Sequence, residues 1–181
     1  IRDRINTGDG TVQQAKNWIE YMIGSINTKY GKLRYKNGRK NPYELQTIFI
    51  GNEMFGGWQI GHTDPITYAN KYNSFVKELK KLNKKLRFIA VGACSDHFGH
   101  WNEYVLKNIK EKIDELSVHY YSIRTEKDKK HPDYKTRYIP TVAAATEVRL
   151  MLDKTIREIK KYSNKNIKIA FDEWNTYVEA T

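Results

Sequence analysis

The chain has 181 residues, with 32 Lys and Arg against 21 Asp and Glu, for a formal net charge of +11 with His neutral. Its 13 Tyr, 6 Phe and 4 Trp can supply a core, which excludes intrinsic disorder. No apolar run approaches the ~20 residues of a membrane-spanning helix, and a single cysteine, Cys94, excludes an internal disulfide framework and a cysteine-rich zinc site.

In chain order, residues 1–6 read as the end of a strand, followed at once by the turn Thr7-Gly8-Asp9-Gly10. Neither an initiator Met, nor a basic n-region, nor an apolar h-region precedes them, so no signal peptide is visible and a cytoplasmic location is expected. Thr11 then caps a helix that carries Ala15, Trp18, Ile19, Met22 and Ile23 on one stripe. Residues 24–43 are rich in Gly, Asn and Lys and predict a long loop. Residues 45–51 form a short apolar, β-branched strand. A helix is expected over 65–82, with Tyr68, Tyr72, Phe75, Val76 and Leu79 on one face. After it come a strand at 86–93, a helix at 101–113 and a strand at 116–121. The remainder reads as a charged loop at 123–139, a long helix at 141–162 and a strand at 167–172.

Five strands alternating with helices of this length predict repeated βαβ units and a parallel sheet, an α/β fold. A dinucleotide-binding fold is disfavoured, because no G-x-G-x-x-G follows any strand. A complete (β/α)8 TIM barrel takes roughly 250 residues, so five strands predict a partial barrel, one incomplete domain over 1–181 cut at both ends.

The basic charge raises nucleic-acid binding as a function class. The lysines are spread over residues 77–85, 107–112, 127–135 and 154–168, with Glu78, Glu111, Asp153 and Glu158 interleaved. Solvated outer helix faces with charge pairs account for them, so no nucleic-acid partner is expected.

In a parallel barrel, function sits at the C-terminal ends of strands. One strand ends Gly51-Asn52-Glu53, another His119-Tyr120-Tyr121, and the last Asp172-Glu173-Trp174-Asn175. Two Glu residues on separate strand ends are the pattern of a glycosidase: one carboxylic acid protonates the leaving oxygen, and one carboxylate attacks the anomeric carbon. These roles call for a raised pKa at the acid and an ordinary or lowered one at the nucleophile. Asn52 can hydrogen-bond a sugar hydroxyl. Trp58 and Trp174 offer faces for ring stacking, and His119 and Tyr121, two apart on a strand, share a face. The structural alternatives are an ion-pair role for either Glu, rim packing for Trp174 and a satisfied polar group for His119. His62, His97, His100 and His131 form no metal spacing and read as loop or surface residues, so no metal is expected.

The run Gly51-Asn52-Glu53-Met54-Phe55-Gly56-Gly57-Trp58-Gln59-Ile60-Gly61-His62 resembles the acid/base motif of glycoside hydrolase family 51, the α-L-arabinofuranosidases. Phe171-Asp172-Glu173-Trp174-Asn175 resembles the nucleophile motif of that family. Asn6-Thr7-Gly8 with residues 15–21, and Ser117-Val118-His119-Tyr120-Tyr121, are similar to it as well, so motifs in the right order cover nearly the whole chain. The Trp-Gln-Ile-Gly-His extension is the most discriminating of them.

The resemblance implies strands three to seven of the barrel, with Glu53 as general acid/base after the fourth strand and Glu173 as nucleophile after the seventh. Asn52 would bond the sugar 2-hydroxyl, and Tyr121 would hold Glu173 ionised beside His119. Trp174 and Asn175 would support the nucleophile, and Tyr177 would sit near the sugar where relatives often carry Trp. It implies a retaining, exo-acting enzyme that removes arabinofuranosyl side chains from hemicellulose oligosaccharides by double displacement. No cofactor, no metal and no membrane partner are implied. The remaining strands and a C-terminal β-sandwich would lie outside this chain, the full-length protein would be a homo-oligomer, and the 181 residues alone would be inactive. Competing readings are another retaining glycosidase of the same clan, such as an endoglucanase or β-xylosidase, and a basic nucleic-acid-binding module.

Overall fold

The computed structural model describes residues 10–94, 98–122 and 134–176. Its elements are α1 (Val12–Ile23), α2 (Lys29–Lys36), β1 (Thr47–Ile50), α3 (Pro65–Leu79), β2 (Arg87–Val91), α4 (Trp101–Asn108), β3 (Glu115–Ser122), α5 (Tyr134–Tyr162) and β4 (Lys168–Thr176). The strands form one parallel sheet in the order β1-β2-β3-β4. Sequential neighbours, all parallel and joined by helices, are the wall of a barrel rather than a doubly wound sheet. The strand expected over 1–6 lies outside the described residues, as does most of the loop expected over 123–139.

Local chemistry sets the helix starts. Thr11 Oγ1 accepts from Gln14 N at 3.1 Å, and the Gln14 side chain accepts from Thr11 N at 2.7 Å, a reciprocal capping box. Asp64 Oδ1 accepts from Ile66 N and Thr67 N, with Pro65 opening α3.

The structure corrects the long loop expected over 24–43, because α2 lies within it. This helix has almost no apolar stripe. It is anchored by Arg34, fully buried, whose guanidinium donates to the carbonyls of Tyr21, Met22 and Lys40. The helix expected to reach residue 113 stops at Asn108. Asn73 of α3 donates to Asn108 O and accepts from Lys110 N and Glu111 N, so the polar groups past the end of α4 bond sideways to α3.

The core lies between the sheet and its helices. Tyr72, Val76 and Leu79 of α3 and Val105 of α4 pack with Phe88, Ala90 and Leu116, all buried. Ala90 lies opposite Leu116 and Val91 opposite Ser117. By strand alternation, Leu116, Val118 and Tyr120 therefore face the helices, while Ser117, His119 and Tyr121 face the other side. The lysines pair as the sequence reading expects: Lys80 with Glu111 and Lys81 with Glu78, with helical pairs Lys107–Glu103 and Lys154–Glu158.

Buried polar side chains bind the C-terminal ends of the strands. Tyr68 Oη donates to Ile50 O at 2.7 Å and accepts from Val91 N at 2.8 Å, which ties the end of β1 to that of β2. Trp101 Nε1 donates to Val91 O. Asn102 accepts from Ala93 N and donates to Ala93 O and to Glu158 of α5. Removing the Tyr68 hydroxyl orphans a donor and an acceptor in a site with no water access, each worth about 1–3 kcal/mol. Tyr68→Phe is expected to destabilise the fold by about 2–4 kcal/mol in urea denaturation; a change below about 0.5 kcal/mol would show the two backbone groups to be satisfied otherwise.

Candidate active site

Because the strands are parallel, every group just past their C-terminal ends meets at one rim. Glu53 stands three residues beyond β1. The chain bends sharply there: Gly51 has φ +89°, where a Cβ would press on Met54, and Glu53 itself is left-handed at φ +44°. Gly56 N donates to Glu53 O at 2.7 Å and Thr63 N to Met54 O at 2.9 Å, closing the loop on itself. A Cβ on Gly56 would lie 2.3 Å from the Trp58 ring, so only glycine lets that indole fold back. Trp58 Nε1 then donates to Glu53 Oε2 at 2.6 Å.

Glu173 arrives from β4 through an irregularity. Val118 pairs with Phe171 but His119 pairs with Glu173, so Asp172 is an extra residue in the strand, a β-bulge. In a regular strand Asp172 and Glu173 would point to opposite faces. Here Asp172 Oδ1 accepts from Ser117 Oγ at 2.8 Å, while Glu173 Oε2 accepts from Tyr121 Oη at 3.0 Å. Both partners sit on the same face of β3, on either side of His119.

His119, only 7% exposed, is the hub. Its Nδ1 lies 2.9 Å from Glu53 Oε1 and 3.4 Å from Glu173 Oε2, and its Nε2 lies 3.2 Å from Ser117 Oγ and 3.6 Å from Asp172 Oδ1. Donor atoms of Glu53, His119 and Glu173 all fall within 4.8 Å of one another. On a flat sheet β1 and β4, three strand spacings apart, would be separated by roughly 14 Å. The curl of the wall removes that distance. The trio is also the one group among the described residues whose spacing would admit a cation, although the same atoms are engaged with one another and with Trp58, Ser117 and Tyr121.

The acid role calls for a raised pKa at Glu53, and the structure gives the opposite. Burial pushes this carboxyl up, but hydrogen bonds from His119 and Trp58 and the charge of His119 outweigh it and hold it below the ordinary value. Tyr121 is pushed up, first by its hydrogen bond to Glu173 and then by burial and the charges of Glu173 and Glu53, so the phenol stays a donor.

A cavity of about 810 Å³ opens over these groups, with Phe55, Trp58, Phe98 and Tyr121 among its walls. Phe55 and Phe98 stack at 4.2 Å, and Trp58 meets both edge-on at 6.2 Å. The structure thus brings Glu53, Glu173, His119, Tyr121 and Trp58 together. Asn52 is placed elsewhere: it lines a second cavity, about 390 Å³, with Trp18 and Ile60. Trp174 pairs with Tyr120 and packs against Phe171 at 5.7 Å, and it is not among the residues that line the cavity holding Glu173. Tyr177 lies outside the described residues, as do His97 and His131. His62 and His100 are loop residues, as expected. Sequence reasoning missed Ser117 and Asp172. Ser117 was legible as the third member of the Ser117, His119, Tyr121 alternation; the bulge that recruits Asp172 leaves no signal of its own. Trp58 was read as a stacking surface and is also the hydrogen-bond donor to Glu53.

A curled parallel sheet with two carboxylates converging at its C-terminal rim defines an α/β protein of the barrel class. The family model described as the alpha-L-arabinofuranosidase 1 domain matches residues 3–139. A probable alpha-L-arabinofuranosidase C of Aspergillus clavatus is 31% identical over 193 residues, spanning 96% of this chain and 36% of that protein. An intracellular exo-alpha-L-arabinofuranosidase of Bacteroides ovatus is 29% identical, spanning 95% and 34% respectively. The crystal structure of the alpha-L-arabinofuranosidase from Thermotoga maritima in its arabinose complex superposes with a TM-score of 0.80 at 32% identity, covering 98% of this chain and 34% of that one. The chain belongs to the alpha-L-arabinofuranosidase domain family, glycoside hydrolase family 51, as its motifs imply. It spans about a third of the length of the relatives it matches.

The depressed Glu53 pKa has a sign that can be checked. A carboxyl whose folded pKa is lowered adds stability that is fully present above the ordinary carboxylate value and is lost as pH falls through the folded one. Trp58→Phe keeps the edge-on packing and removes the N–H donor. It is expected to raise the Glu53 pKa and to move the acid loss of stability to higher pH. Carboxyl ¹³C NMR titration measures the shift; an unchanged or lower pKa would show that the indole does not control this group.

Proposed function

We propose that this chain forms the catalytic part of a retaining, exo-acting α-L-arabinofuranosidase that releases arabinofuranosyl side chains from hemicellulose oligosaccharides. The observation that carries the reading is the approach of Glu53 and Glu173 oxygens to within 4.8 Å. Carboxyls ~5–5.5 Å apart belong to retaining enzymes, since no water fits between them and the anomeric carbon. Glu173, steadied by Tyr121, attacks that carbon while Glu53 protonates the departing oxygen, giving an arabinosyl ester of Glu173. Water activated by Glu53 then attacks the same carbon, frees the sugar with retained configuration and returns the proton to Glu53. The chain uses no cofactor in this scheme.

The names of the Aspergillus, Bacteroides and Thermotoga relatives support arabinofuranosides as the substrate class. The chain supplies strands three to seven of the barrel, and the remaining strands and a β-sandwich domain belong to the rest of a full-length, homo-oligomeric protein. The length of the relatives supports this division. The Bacteroides relative, named as intracellular, supports a cytoplasmic site of action, and no described helix is long and apolar enough to cross a membrane. Asn52 and Trp174 reach the sugar only if segments outside this chain bring it over them.

The test uses the full-length protein. Aryl arabinofuranoside is expected to be turned over and aryl xyloside not; the reverse preference would move the protein to another activity of the clan. Glu173→Ala is expected to abolish turnover with every leaving group. Glu53→Ala is expected to slow poor leaving groups by about 100- to 10,000-fold, to spare activated aryl groups, and to recover with azide as a glycosyl azide of retained configuration. Azide rescue of Glu173→Ala with retained configuration instead would reverse the two roles, whereas an inverted glycosyl azide from that variant fits Glu173 as the nucleophile.

A further inference from the structure

The hydrogen-bonding pattern around His119 fixes where its protons are. Ser117 Oγ lies 2.8 Å from Asp172 Oδ1. An ionised carboxylate only accepts, so the single hydroxyl proton of Ser117 points at Asp172. The same oxygen lies 3.2 Å from His119 Nε2. With its proton committed, Ser117 can only accept there, so Nε2 carries hydrogen. Asp172 Oδ1, 3.6 Å from Nε2, favours the same arrangement electrostatically. On the other side of the ring, His119 Nδ1 lies 2.9 Å from Glu53 Oε1. A neutral ring protonated at Nε2 presents a lone pair at Nδ1, and a lone pair facing an ionised carboxylate at this distance is repulsive. One proton must therefore lie between Nδ1 and Oε1, on one atom or the other.

We propose that Asp172 and Ser117 are positioning residues that hold His119 in its Nε2–H tautomer, so that the proton Glu53 delivers to the leaving oxygen is one it shares with His119 Nδ1. The proposal rests on the glycosidase reading for its use of the proton. The charged groups that face the ring among the described residues are Glu53 beyond β1 and Asp172 and Glu173 on β4; Tyr121 on β3 touches it only through Glu173.

The balance is complete without a further reactant. In the first step the bond from the anomeric carbon to the leaving oxygen breaks, a bond to Glu173 forms, and the shared proton departs on the leaving alcohol. His119 is left neutral beside an ionised Glu53. In the second step water attacks the same carbon, the ester bond to Glu173 breaks, and the proton lost by water returns between Oε1 and Nδ1. The opposite tautomer would fail at the first step. With Nδ1–H permanently donated to Glu53, the carboxylate would be held ionised and no proton would be stored for the leaving group.

The tautomer is measured directly by ¹⁵N NMR of the His119 ring in the full-length protein across a pH titration. Nε2 is expected to remain protonated throughout and Nδ1 to be the nitrogen that titrates. Asp172→Ala frees the Ser117 proton to turn toward Nε2, and the titrating nitrogen is expected to change to Nε2; Ser117→Thr, which keeps the hydroxyl, is expected to behave as the unsubstituted protein. Nδ1 holding its proton while Nε2 titrates in the unsubstituted protein overturns the proposal, and that result decides alone should Asp172→Ala not fold. A second readout is leaving-group dependence. Asp172→Ala is expected to slow alkyl arabinofuranosides by about 10- to 100-fold, part of the span of general acid catalysis, and dinitrophenyl arabinofuranoside by less than about threefold, since that leaving group needs no acid. Equal losses on both would leave Asp172 a structural residue and overturn its part in the proton supply. An enzyme with no arabinofuranosidase activity would sink the functional reading, while the ring titration would still report the tautomer.

Discussion

A strand presents successive side chains to opposite faces, and one extra residue in β4 suspends that rule at residue 172. Without the bulge, either Asp172 or Glu173 would face the helices, and His119 would meet one carboxylate from β4 rather than two. With it, Ser117, His119 and Tyr121, a regular alternation on β3, each find a partner: Asp172 for Ser117, both β4 carboxylates for His119, Glu173 for Tyr121. The bulge sits at the C-terminal rim of the sheet, where irregular pairing re-aims side chains at little cost to the core. Below it the pairing of β3 with β4 is regular and the core packs against it undisturbed.

The rim needs rigidity of its own, because the groups it carries come from three strands, one of them, β1, adjacent to neither of the others. Buried polar side chains provide it. Tyr68 locks the end of β1 to that of β2, Trp101 holds Val91, and Asn102 fastens Ala93 to α5 through Glu158. The bonds to Ile50, Val91 and Ala93 satisfy backbone groups at the strand ends and link each to a helix behind it, and the Asn102–Glu158 bond joins two of those helices. The Glu53 loop is then anchored at both ends, at Gly51 by the Tyr68 bridge to Ile50 and at Thr63 by its bond to Met54.

The parallel sheet and the paired carboxylates were legible because they rest on patterns with a fixed period or a fixed place. Apolar runs at 45–51, 86–93 and 116–121 separated by helical stripes could only be βαβ units, and a Glu after two different strands could only meet at one rim. Helix α2 was not legible, since Arg34 and its carbonyl partners replace the apolar stripe that marks other helices. The early end of α4 depends on Asn73, a residue 35 positions away in sequence from Asn108. Trp174 was assigned to the site from its place beside Glu173; alternation, resuming after the bulge, puts it on the other face. Adjacency in a motif says nothing about which face a side chain takes once the strand register slips.

The charge around His119 explains how a basic protein carries a site that must manage negative charge. Net charge is set by lysines on outer helix faces, paired along those faces and screened by solvent. Inside the rim the balance inverts: three carboxylates surround one imidazole, beside the aromatic walls of Phe55, Trp58 and Phe98. Two carboxylates within 4.8 Å resist ionising together, and hydrogen bonds at each offset that repulsion, from His119 and Trp58 at Glu53 and from Tyr121 at Glu173. Burial raises the Glu53 pKa, but the hydrogen bonds from His119 and Trp58, and after them the charge of His119, hold it below its ordinary value. Any ligand that displaces water from this wall strengthens every one of these interactions. In the proposed mechanism the imidazole therefore serves a carboxyl that the site's own hydrogen bonds hold below its ordinary pKa and that must still deliver a proton.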